Sequence, residues 1–162
     1  MNSFLIEEAT RRSGLVWLDL PAGPRPAWHV WQDGAAYVVT GGIEQPLPGL
    51  LDAKHVAVTV PSKDNRSRLV SWLAACTRVE PGSDEWQAVV PVLQAARLNL
   101  PDGEHAAERW VRECAVVRLS PTGQVLDAPG RVPTGPAAAA PPRSAATTVG
   151  RLPRMLGRRR KV

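Results

Sequence analysis

Apolar and polar positions alternate in short bursts along the first 120 residues, and nearly every burst ends in a turn former. Residues 15–20 (LVWLDL) are an almost continuous apolar run, which predicts a buried strand. The Pro/Gly-rich PAGPRP follows and predicts a turn region, leading into a strand over 27–32 (AWHVWQ). Asp33-Gly34 then marks a type I′ hairpin, because both central positions need positive φ, and 35–40 (AAYVVT) is the return strand. After GGIEQPLPG a short helical turn is expected at 50–54. The strand over 55–60 (HVAVTV) sets Val56, Val58 and Val60 on one face and His55, Ala57 and Thr59 on the other. A polar loop, SKDNRS, separates it from a long strand over 68–79 (RLVSWLAACTRV), bent to serve two parts of a barrel.

The period then lengthens. Ser83 is a suitable N-cap, Asp84 and Glu85 suit the positive end of a helix dipole, and Trp86, Val89, Val90 and Leu93 fall at helical spacing. Pro91 is expected to kink or restart that helix. Asp102 is placed to cap a second helix through Trp110 and Val111, and 114–119 (CAVVRL) reads as a last strand. With an N-terminal helix, the order is helix, three strands, short helix, two strands, helical insert, strand. That is an α+β barrel-type domain.

Composition divides the chain of 162 residues. Residues 1–120 carry 12 Lys/Arg against 14 Asp/Glu, a net charge of −2, whereas 121–162 carry 8 against one, a net charge of +7. The basic balance therefore belongs to the tail, and a nucleic-acid-binding domain would carry it on the fold. From Pro121 the sequence turns rich in Pro, Ala, Gly, Ser and Thr, with no aromatic residue, and reads as a disordered linker ending in the basic RLPRMLGRRRKV. The domain organisation expected is thus a barrel over 1–120 and a linker with basic tail over 121–162. The tail is either a solvated, solubilising segment or a weakly adhesive one for nucleic acid or anionic surfaces.

No apolar run reaches the roughly 18 residues needed to span a bilayer, and Glu7 and Glu8 stand where a signal peptide would be apolar. Two cysteines make no disulfide framework. The expected location is cytoplasmic.

The chain contains no GxSxG elbow, P-loop or GxGxxG. His29, His55 and His105 lack metal-ligand spacing with Cys76 or Cys114, so no metal site is expected. The acids at 84/85 and 102/104 suit helix starts better than acid/base chemistry, and no catalytic residue is assigned. Six of the eight aromatic residues are tryptophan. On the 27–32 segment, Trp28 and Val30 face one side and His29 and Trp31 the other, so this strand is covered twice. The second cover is a helix, another subunit or a flat aromatic cofactor.

The order and spacing of LVWLDL, AWHVWQDGAAYVVT, PGLLDAKHVAVTVPS, RLVSWLAACTRVE and ECAVVRLSP resemble the pyridoxamine 5′-phosphate oxidase-like proteins, which are flavin-binding split β-barrels. The likeness is greatest to their small actinobacterial members and covers roughly 13–121. It implies a split antiparallel β-barrel and a homodimer with FMN sites at the subunit interface, which would make the chain an FMN-dependent oxidoreductase. Carried over by position, His29, Val30 and Trp31 match the strand under the flavin, and Val39 and Thr40 match residues near the ribityl-phosphate. Arg68 matches the arginine opening the long strand that carries Trp72, and Gln45 and Lys63 complete the set expected to contact the cofactor.

One departure stands out. Where relatives that bind flavin tightly carry a Ser-Arg-Lys-like phosphate grip, this chain has GGIEQPLPG, with Glu44 and no basic residue. A phosphate there would be repelled unless Lys54, Lys63, Arg66 or Arg68 compensates. The possibilities are FMN held differently, a deazaflavin or haem instead, or no cofactor on a non-enzymatic dimeric scaffold or small-molecule-binding protein.

Overall fold

A computed structural model of the chain describes residues 2–62 and 68–127, which lie in one compact unit, Met1–Val132. The elements run α1 (Asn2–Arg12), β1 (Val16–Leu20), β2 (Gly23–Ala27), β3 (Val30–Gln32), β4 (Ala35–Gly41), β5 (His55–Pro61) and β6 (Arg68–Arg78). Then come α2 (Asp84–Ala96), a 3-10 turn (Gly103–His105), α3 (Ala106–Glu113) and β7 (Cys114–Asp127). The strands form one antiparallel sheet in the order β2-β1-β5-β6-β7-β4-β3. This is the split β-barrel of an α+β fold. No helix among the described residues is long and apolar enough to cross a membrane.

Two hydrophobic cores lie on opposite faces of β4. Ala36 and Val38 point into the barrel with Leu18, Val58, Trp72 and Leu119, and Ile6 of α1 closes that core. Ala35, Tyr37 and Val39 point the other way, onto Trp86, Val89 and Leu93 of α2 and Trp110 of α3. A strand buried on both faces favours apolar side chains at successive positions, which is why 35–39 (AAYVV) shows no alternation. The two-sided reading of 27–32 holds in the same way. Val30 and Trp28 pack with the helical insert, and Trp31 packs with the barrel core. The second cover is a helix pair of the chain itself.

The hairpin forms at Asp33 (φ 48°) and Gly34 (φ 76°), with Gln32 opposite Ala35. Four local expectations need correction. The expected strand over 27–32 begins only at Val30, and the Pro/Gly segment before it forms β2, with Leu18 opposite Arg25. Pro24 and Pro26 are tolerated there because β2 is an edge strand, where a missing N–H need not break a ladder on both sides. Pro91 does not interrupt α2, since the helix stays docked on both sides of it through Trp86, Val89, Val90 and Leu93. The 50–54 segment is not helical. Single-turn bonds from Leu50 N to Leu47 O and Ala53 N to Leu50 O shape it instead.

The fourth correction concerns β7, expected to end at 119. It continues to Asp127 because β6 offers a ladder for it, pairing Ala74 with Pro121, Trp72 with Val125 and Ser71 with Asp127. Thr122 Oγ1 also donates to Leu73 O at 3.0 Å. The 120/121 boundary thus falls within a strand. The expected linker and basic tail from 128 onward, and the loop containing Lys63 and Arg66, lie outside the described residues.

Candidate functional site

The segment following β4 is held down by its own side chains. Gly41 turns at φ 99°, and a Cβ there would stand 2.9 Å from the Glu113 carbonyl oxygen, so only glycine fits. Buried Thr40 donates through Oγ1 to Gln45 O (3.0 Å) and accepts from Leu47 N (3.1 Å). The Gln45 carboxamide accepts from Trp28 N at 2.8 Å and donates to Trp28 O at 3.0 Å. It therefore plays the part of a neighbouring strand in the gap between β2 and β3, satisfying two backbone groups that no ladder reaches.

Next to it, Glu44 is drawn inward until its side chain is 0% exposed. Three donors from the helical insert meet its two oxygens. Arg97 Nε reaches Oε2 at 3.0 Å, while Arg109 Nη2 and Trp110 Nε1 reach Oε1 at 2.9 and 3.1 Å. Burial pushes the Glu44 carboxyl upward. The bonds from Arg109, Trp110 and Arg97 push harder the other way and hold it below its ordinary value.

Arg109 is itself buried and ion-pairs with Asp102, which explains why Asp102 makes no side-chain cap. Burial lowers the Arg109 pKa, but Asp102 and Glu44 more than restore it. Its Nη1 also lies 3.9 Å from Cys114 Sγ, which donates to Gly41 O at 3.3 Å. Arg97 lies over the Trp28 ring, 5.5 Å from its centroid, in a cation–π contact. Burial pushes the Cys114 thiol up and, likewise, the Cys76 thiol to about 11, so neither is a thiolate near neutral pH.

The expected site residues divide into four groups. Thr40 and Gln45 meet Trp28 in the segment just described. His29, Trp31 and Trp72 face the barrel. Trp72 is fully buried and meets Trp31 edge-on at 6.3 Å. His29 Nε2 lies 2.9 Å from Thr10 O, and a carbonyl can only accept, so the ring carries its proton on Nε2. Burial holds the His29 pKa below 6.5. Val30 and Val39 belong to the second core. Arg68 opens β6 opposite Pro61, and Lys63 lies outside the described residues.

Sequence reasoning missed Arg97, Arg109 and Trp110 as partners of Glu44, and Asp102 as the second partner of Arg109. The available signal was an acid in an otherwise apolar, proline-rich loop, facing an insert with Arg and Trp adjacent at 109 and 110. A crevice of about 400 Å³ lies beside this segment, lined among others by Thr40, Gly41, Leu51, Arg78, Arg112 and Cys114. Among the described residues no group of His, Cys, Asp or Glu could hold a metal ion.

Tested against a cofactor phosphate, the 41–49 segment does not fit. The segment supplies a carboxylate, Glu44, and no cation of its own, and Arg97 and Arg109 are committed to that carboxylate.

No protein-family model and no curated protein matches the chain. Solved structures do. HutZ, the haem storage protein of Vibrio cholerae, matches with a TM-score of 0.53 at 16% identity, over 74% of this chain and 89% of its own. A Listeria innocua protein provisionally assigned as a pyridoxamine 5′-phosphate oxidase matches with a TM-score of 0.53 at 13% identity, over 77% and 96%. A Bacteroides thetaiotaomicron protein provisionally assigned to 5-nitroimidazole antibiotic resistance matches at 0.51 and 12%, over 74% and 79%. These likenesses establish the fold as the split barrel of pyridoxamine 5′-phosphate oxidase-like proteins, the fold that the sequence resemblance implies.

Proposed function

From a split barrel shared with haem-storing and oxidase-assigned proteins, we propose that this chain is a homodimeric small-molecule-binding protein that does not hold FMN by a phosphate grip after β4. One observation carries the reading: Glu44, buried and clamped by Arg97, Arg109 and Trp110, stands where that grip would be. A phosphate dianion brought there would meet a carboxylate that already holds Arg97 and Arg109. Fold alone does not set activity, so the ligand has to be found by binding. Haem is the first candidate, from the likeness to HutZ, and a deazaflavin the second. In this reading the protein is cytoplasmic.

The test is an absorbance spectrum from 300 to 550 nm on the purified protein, before and after excess FMN and gel filtration. The expected result is a dimer retaining no flavin band, followed by haem and deazaflavin titrations in which one ligand is retained. A flavin band surviving gel filtration overturns the reading.

A second reading, an FMN-dependent oxidoreductase, is favoured by the match to the Listeria innocua protein. In it the phosphate is taken by Lys63 and Arg68 of the β5–β6 connection, and the ring lies along His29, Val30 and Trp31. The cofactor would carry the redox chemistry, and the chain would position it. Retained flavin that is lost in a Lys63→Ala, Arg68→Ala double variant would establish this reading in place of the first.

A further inference from the structure

The Glu44 clamp has the composition of a receptor. Arg97 Nε, at the C-terminal cap of α2, and Arg109 Nη2 and Trp110 Nε1, on α3, converge on one carboxylate within 2.9–3.1 Å. Their supports are independent of that carboxylate. Asp102 holds Arg109 through its Nε, Leu98 O accepts from Arg97 Nη1 at 2.7 Å, and Trp28 lies under the Arg97 guanidinium. Planar guanidinium groups with a third N–H between them suit the two in-plane oxygens of a carboxylate. The occupant, by contrast, arrives on a segment without helix or strand, tethered by Thr40 and Gln45. Thr40 and Gly41 also form part of the wall of the 400 Å³ crevice.

We propose that Arg97, Arg109 and Trp110 form a carboxylate-binding site which the chain fills with its own Glu44, so that a small external carboxylate takes the place when that side chain is removed. The site goes beyond the proposed function, which names no ligand for these residues. It shares with it only the observation that Glu44 is engaged.

The test is thermal unfolding of the full chain carrying E44A, which deletes a fragment the size of acetate. In sodium chloride the variant melts below wild type. In 100 mM acetate at matched ionic strength and pH 7 the melting temperature is expected to rise by on the order of 5 °C. The same acetate is expected to leave wild type and E44Q unmoved, because in both the space is filled. If E44A does not fold in chloride, acetate in the refolding buffer is expected to recover it. Equal shifts in all three proteins, no shift in E44A, or no recovery in acetate overturns the proposal. None of these readouts involves flavin absorbance, so this proposal and the functional reading can fail separately.

Discussion

A buried charge is stable only with its partner, and Arg109 has two, Glu44 and Asp102. Truncating it leaves Glu44, sealed away from water, with Arg97 as its one charged partner, and strips Asp102 of its own. Arg109→Ala is therefore expected to cost about 3–5 kcal/mol in urea unfolding. Arg97→Ala should cost less than half of that, because its side chain is 27% exposed and water replaces part of what is lost. The clamp also sets a pH dependence. The Glu44 pKa lies below its ordinary 4.5 in the folded state, so the clamp's stabilisation is present above 4.5 and is lost as pH falls through the lower folded value.

His29 has the same sign for a different reason. Burial favours its neutral form, so the unfolded chain takes up the proton first, and stability declines as pH falls below 6.5 toward the folded value. Urea midpoints measured from pH 7.5 to 5.5 are expected to drop in wild type, with a shallower drop in His29→Gln.

At the scale of elements, turns with similar dihedrals differ in what surrounds them. Gly34 and Gly41 both have positive φ, but a Cβ at Gly34 meets nothing within 4 Å and one at Gly41 meets the Glu113 carbonyl at 2.9 Å. Gly34→Ala is expected to cost about 1 kcal/mol, the backbone strain alone. Gly41→Ala should cost at least about twice as much, since β4 and β7 must separate to admit the methyl group. Chemical denaturation of the two variants side by side checks the difference.

How much of the architecture was legible also divides by element. The Asp33-Gly34 hairpin, the β5 alternation and the Ser83-capped helix follow from local chemistry, and all three are present. β2 was illegible because two prolines in five residues deny a strand by every local rule, and only a place at the sheet edge permits one. Pro91 misled in the opposite direction. Burial of Trp86, Val89, Val90 and Leu93 outweighs the one backbone bond it removes.

For the molecule as a whole, β7 carries the sheet past the expected 120/121 boundary. Pro121, Val125 and Asp127 pair with β6, although the composition around them is that of a linker. Removal of 128–162 is expected to leave the melting temperature within about a degree of wild type, whereas removal of 121–162 strips the ladder from β6 and lowers it by several degrees. Any binding of the chain to DNA should depend steeply on salt and disappear with the shorter deletion, because the body is net acidic.

The sequence by itself determined the class of the fold, the position of most strands and the two-sided cover of the 27–32 segment. Those properties are written in periodicity and turn chemistry, which act over a few residues. Only the tertiary structure decided what Glu44 does. Read locally, it is an acid in a proline-rich loop that would repel an anion. Folded, it meets Arg97 and Trp110, 53 and 66 residues further along the chain. No local pattern encodes which charges will face each other across that separation. The packing of the helical insert against β4 does so, and it turns a repelling surface acid into a buried, neutralised anchor.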